Sequence, residues 1–68
     1  MRDYVKALVF GHDTAISMGA SLATEEDRNI VIGSVESIYR GNLRNPKVQE
    51  VRKKYIREGI ASLLPFLD

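Results

Sequence analysis

Apolar residues recur at spacings of three and four along most of this chain, the signature of amphipathic helices. In "PKVQEVRKKYIREGIASLLPFLD", Val48, Val51, Tyr55, Ile56, Ile60 and Leu63 fall on one face. The spacing predicts a helix over residues 46–64. Leu64 precedes Pro65 and is biased away from helical geometry, so "PFLD" reads as a tail whose Phe66 and Leu67 fold back onto the core. Gly59 lies on the apolar face, where a missing side chain admits a close neighbour.

The stretch "EEDRNIVIGSVESIYR" places Val31, Val35, Ile38 and Tyr39 together, and Ile30 and Ile32 widen that face beyond one stripe. A helix apolar over so wide an arc sits centrally or lies in an interface. The β-branched run "NIVIGSV" leaves a short strand open, but the boundary signals favour a helix over 25–40. Thr24 is a good N-cap, Asp27 occupies the capping-box position, and Glu25, Glu26 and Asp27 put negative charge at the positive end of the helix dipole. Gly41 after Arg40 suits the left-handed position that closes a helix. Asn45 then caps the next helix, with Pro46 at its first position, where a missing N–H costs nothing.

Residues 2–22 read as one helix near 3–22. Tyr4, Leu8, Gly11, Ala15, Met18, Gly19 and Leu22 share a face, flanked by Val5, Val9, His12 and Ile16. The competing reading ends a first helix at Gly11 and caps a second at Asp13; Phe10, which fits the continuous face less well, supports it. The expected fold is therefore all-α: a small three-helix bundle with helices near 3–22, 25–40 and 46–64, forming a single domain over residues 1–68.

Composition sets a limit on how stable one such chain can be. The chain has 68 residues, of which 44% are hydrophobic, and no cysteine. A body this small buries only about 60% of its unfolded surface, and neither a disulfide nor a thiolate-held zinc can staple it. Oligomerisation is the usual remedy. The apolar surplus thus points to a homodimer, or to a face for another protein. No cofactor or metal is expected.

Charge is nearly balanced overall but not along the chain. Residues 25–40 carry four acids and two bases, a net of −2; residues 41–68 carry six bases and three acids, a net of +3. The asymmetry suits antiparallel helix pairing or a weak anion-facing surface. The longest uninterrupted apolar run near the start, Ala7 to Phe10, is too short for a secretory signal or a membrane span. A cytoplasmic protein without a membrane partner is the default expectation.

Candidate chemistry is sparse. His12 beside Asp13 invites a general-base reading, yet adjacent helix residues do not face each other. The residues three and four positions away are Leu8, Val9, Ala15 and Ile16, none of which orients an imidazole. His12 is expected at the edge of the core rather than in catalysis. Gly11, Ala15 and Gly19, spaced by four, form a low ridge that lets helix axes come close. They would meet either the second helix near Gly33 and Ser34 or Ser37, or a second copy. Arg52 projects among Val51, Tyr55, Ile56 and Gly59, where a guanidinium needs a partner; Glu36 is the expected one.

The functional expectation is a non-enzymatic interaction or regulatory protein that presents helix surfaces to itself or to another protein. Gly11, Ala15, Gly19 and Arg52 are its candidate contacts, with Tyr39 and Tyr55 as interface aromatics. The alternative is a nucleic-acid-binding module using the basic third helix, with contacts from Arg44, Lys47, Lys53, Lys54 and Arg57. Glu50 and Glu58 among those bases weaken a single-sign surface.

Overall fold

Two local capping arrangements start the second and third helices. The Thr24 hydroxyl oxygen accepts the Asp27 N–H at 3.2 Å, and the Asn45 side-chain oxygen accepts the Lys47 N–H at 2.9 Å. Each satisfies a donor that the first turn leaves without an intrahelical acceptor. The computed structural model describes residues 1–67. The elements are α1 (Arg2–Ser17), α2 (Glu25–Ile38), α3 (Pro46–Glu58) and a closing 3-10 helix (Ile60–Phe66). Among the described residues there is no strand, so "NIVIGSV" is helical throughout.

The helix ends differ from the sequence expectation. α1 stops at Ser17 instead of running to residue 22. Gly19 takes φ +95°, its N–H donates to the Ile16 carbonyl, and the Ala20 N–H donates to the Ala15 carbonyl, both at 2.9 Å. This is a Schellman closure, which needs a left-handed residue at the position Gly19 fills. Gly19 therefore leaves the line of Gly11 and Ala15. Leu22 returns to the core by way of the loop, with φ 55°, a conformation that costs a branched residue about 1–2 kcal/mol. Its burial and a hydrogen bond to its carbonyl hold it there.

α2 ends at Ile38, two residues before the expected 40. Gly41 does not supply a positive φ. Its role is steric, because a Cβ at that position would overlap the Tyr39 ring. α3 ends at Glu58 instead of residue 64. Gly59, at φ 86°, breaks it, and no atom stands close to where its side chain would be. It is a conformational break, not a point of close packing. The chain then tightens into the 3-10 helix, where residues three apart eclipse. Ile60, Leu63 and Phe66 thus share a core-facing side, with Leu63 fully buried. Pro65 lies within this turn. Phe66 packs back onto the core as expected, under the Lys54 ammonium at 5.3 Å from its ring centre. Leu67, against expectation, is exposed and does not pack against the core, and Asp68, the last residue of that tail, lies outside the described residues.

The core is small. Tyr4, Val5 and Leu8 from α1 meet Val31, Ile32 and Val35 from α2, Val48, Val51 and Tyr55 from α3, Leu63 and Leu22. Several polar arrangements tie its edges. Tyr4 donates to Glu36 at 2.5 Å, and Arg52 pairs with the same carboxylate oxygen at 3.2 Å. The expected Arg52–Glu36 pair is thus present, and it links α1, α2 and α3 through one acid. The Gln49 side-chain amide donates to the Leu43 carbonyl, holding the α2–α3 connection against α3.

Arg28 makes another such arrangement. It is the one buried charged residue among those described. Its guanidinium donates to the carbonyls of Ile56 at 2.7 Å, Leu22 at 3.1 Å and Arg57 at 3.3 Å. Ile56 and Arg57 belong to the last turn of α3, whose carbonyls have no intrahelical donor. A cation at this negative end of the helix dipole is favourable. Arg28 therefore closes α3 and fixes the α1–α2 loop with one side chain.

Candidate functional site

α1 and α2 run antiparallel and cross closely at Gly11. A Cβ there would lie 2.5 Å from Val35 Cγ2 and 3.5 Å from Val31 Cγ1. The absent side chain draws the two helices together, and what meets this side of Gly11 is a pair of valine methyl groups from α2 of the same chain. Gly33, by contrast, has open space around it.

On the outer side of this crossing lies an open groove of about 390 Å³. Its floor is Gly11, Ala15, Val31 and Val35. One wall is the α1 ridge of Phe10, Thr14 and Met18; the other is the α2 ridge of Ile30, Ser34 and Ile38. Neither α3 nor the 3-10 helix contributes to it, and no lining residue is charged. Phe10 is 75% exposed, Met18 83%, Ile30 69% and Ile38 78%. These are the four most exposed large hydrophobic side chains among the described residues, and all four line this groove. Scattered single exposures are ordinary in soluble proteins; a contiguous apolar patch is not.

The sequence-derived candidates divide around this face. Gly11 and Ala15 form its floor, whereas Gly19 sits beyond the end of α1. Tyr39 is half-buried at the groove's end and stacks on Tyr4 with ring centres 5.3 Å apart. Tyr55 is fully buried, so its ring belongs to the core and not to a surface. Arg52 lies on α3, outside the groove, in its pair with Glu36. Phe10, Met18, Ile30 and Ile38 are absent from the sequence-derived site. The signals pointing to them are the poor fit of Phe10 on the α1 core face and the excess width of the α2 apolar arc.

His12 does find a partner, from α3. Its Nδ1 lies 2.7 Å from the Tyr55 hydroxyl, with the rings edge to face. Burial pushes the Tyr55 phenol up to about 12, against a smaller lowering by Arg28. Tyr55 therefore keeps its proton near neutral pH. Burial, reinforced by the Glu36 carboxylate, pushes Tyr4 upward as well. The His12–Tyr55 bond locks α1 to α3 at the core's edge. Among the described residues, no group of three or more histidine, cysteine or acidic side chains is placed to hold a metal.

The basic residues of the alternative reading do not make one continuous positive surface. Lys54 lies 3.8 Å from Glu50, and Arg57 lies 2.7 Å from Glu58. Arg44, Lys47 and Lys53 are exposed. Among the described residues, no helix is long and apolar enough to cross a membrane. No family model matches the chain, and no curated protein or solved structure gives a match.

Proposed function

We propose that this protein is a non-enzymatic interaction or regulatory module whose working surface is the outer α1–α2 face. The concentration of its four most exposed large hydrophobic side chains in one uncharged groove carries this reading. Fully burying such a side chain is worth about 1.5–3 kcal/mol, so a helical protein surface laid over the ridges would gain most from these residues. Thr14 and Ser34 between the large side chains supply hydroxyls that tolerate either solvent or a partner.

Site-specific photocrosslinking tests the reading. Benzoylphenylalanine placed at Thr14 or Ser34 should give protein adducts in the native host, and the same group at the exposed Lys53 on α3 should give none. Adducts from Lys53 alone, or from all three positions equally, would overturn the assignment of this face.

A further inference from the structure

The two ridges that wall the groove have the same make-up. Phe10, Thr14 and Met18 on α1 are spaced by four; so are Ile30, Ser34 and Ile38 on α2. Each ridge reads large apolar, small hydroxyl, large apolar. The contact of Gly11 with Val35 and Val31 sets their relative height. Gly11 meets both Val31 and Val35, so in this antiparallel pair Phe10 stands about level with Ser34, and Thr14 about level with Ile30. A large side chain on one ridge is thus at the height of a small one on the other, which is the condition for ridges to pack into grooves.

We infer that the occupant of this face is a second copy of the chain, related by a twofold axis parallel to α1 and α2. The inference rests on the reading of the face as a protein-docking surface. Such an axis preserves every residue's height and lays α1 of one copy on α2 of the other. Phe10 of each copy then stands over Ser34 of the other, between its Ile30 and Ile38, and the four helices form a bundle in which all neighbours are antiparallel.

Three observations favour a second copy over a foreign helix. The face is as wide as two helices, and both of its ridges carry the same pattern. It holds no charge, so self-pairing meets no like-charge repulsion, whereas selection of a foreign partner ordinarily draws on complementary charge. The size also suits. The molecule measures 30 × 22 × 21 Å. The uncharged face runs from Ala7 to Met18 and from Ile30 to Tyr39, about 15–18 Å of helix. Across two helices that is roughly 320 Å² in projection, and the standing side chains of Phe10, Met18, Ile30 and Ile38, each more than two-thirds exposed, bring the area two copies cover toward about 1,000 Å², where specific interfaces begin. Association would also enlarge a core that one short chain leaves small.

Sedimentation equilibrium and native mass spectrometry of the full chain test this with Phe10→Lys, Ile38→Glu and their equimolar mixture. The wild type should have twice the 7.7 kDa chain mass. Each variant alone should become monomeric with its helical circular dichroism intact, since both positions are exposed in the single chain. The mixture should recover a dimer with one copy of each variant, because the introduced ammonium of one faces the introduced carboxylate of the other. A wild type that stays monomeric to about 1 mM, far above ordinary dimer affinities, overturns the inference. So does a dimer that survives either substitution, or a mixture that remains monomeric. Benzoylphenylalanine at Thr14 separates this failure from that of the underlying reading. Adducts to a different protein from a monomeric chain overturn only the second copy, and no adduct of any kind overturns both.

Discussion

Two glycines lie inside helices, and the same substitution should move stability in opposite directions at them. Gly33 faces open space in mid-α2. Alanine there gains helix propensity of about 0.8–1 kcal/mol with nothing to displace. For a domain of this size that raises Tm by about 4–8 °C. Gly11 offers the same propensity gain, but its new Cβ would sit 2.5 Å from Val35 Cγ2. Ordinary carbon contacts are about 3.5–4.0 Å, so the gap must open by about 1 Å. Val35 is stiff at χ1 in a helix, so relief must come from moving the helix axes apart. Overfilling of this kind costs about 1–3 kcal/mol. The net expectation for Gly11→Ala is a loss of up to about 2 kcal/mol.

A double-mutant cycle isolates the cause. Val35→Ala alone should cost about 2 kcal/mol through lost burial and a cavity. Adding Gly11→Ala to that background should then stabilise, because the opposing methyl groups are gone. The coupling between the two positions should be about 1–3 kcal/mol. Thermal unfolding followed by circular dichroism at one fixed protein concentration reads all of these. A Gly11→Ala variant that gains stability as Gly33→Ala does, with no coupling to Val35, would refute the close crossing on which the groove geometry depends.

Other expectations concern the polar ties of the core. Arg28→Met should cost about 3 kcal/mol, because charged hydrogen bonds are lost and α3 carbonyls are left without donors. Arg28→Lys should recover less than half, since an ammonium cannot span three carbonyls; a loss within the ordinary surface range of about 0.5 kcal/mol would show that Arg28 does not close α3. Alkaline pH should destabilise the fold. Below pH 10 both states hold the Tyr55 proton and its contribution is complete. Above it the unfolded chain ionises first, while the folded phenol keeps its proton until about 12. Stability should fall by about 1.4 kcal/mol per pH unit for this group, close to 3 kcal/mol in all, with a parallel share from Tyr4. Urea titrations from about pH 9 to 12 should show a plateau below pH 10 and this slope above it, reduced by one tyrosine's share in Tyr55→Phe; a flat profile would contradict it.

The helix starts were legible in the sequence because their chemistry is local. Thr24 and Asn45 each bind a backbone N–H two or three residues away, and the side chain and its partner travel together in the sequence. The ends were not, because periodicity ran past them. Met18 and Leu22 keep helical spacing although the backbone has already turned, since Leu22 re-enters the core through a loop. Ile60 and Leu63 keep it because residues three apart share a face in both α and 3-10 geometry. The glycine rule itself was sound but fell on Gly41, where the requirement is room for the Tyr39 ring. The left-handed glycines are Gly19 and Gly59.

Side-chain partners show the same dependence on locality. Arg52 announced its pair with Glu36 because a guanidinium among Val51, Tyr55 and Ile56 stands out against its own helix. Arg28 gave no such sign. It sits in an acidic first turn, where a base looks solvated, and its partners are carbonyls of residues 22, 56 and 57. No side-chain pattern records a carbonyl.

The groove joins these threads. An apolar surplus was visible from composition, but its location depended on how closely α1 approaches α2, and that distance is set by one missing Cβ at Gly11. Drawing the axes together there buries Val31 and Val35 beneath the crossing. It also leaves the next residues outward, Phe10, Met18, Ile30 and Ile38, standing as two ridges above a low floor. The small residues that pack the chain against itself on one side therefore create the concavity on the other. Gly11 has a part in both surfaces, so a substitution that pushes the helices apart should weaken the fold and flatten the groove together. The crossing alone requires a glycine at position 11; the coupling adds that any larger residue there is felt at both surfaces.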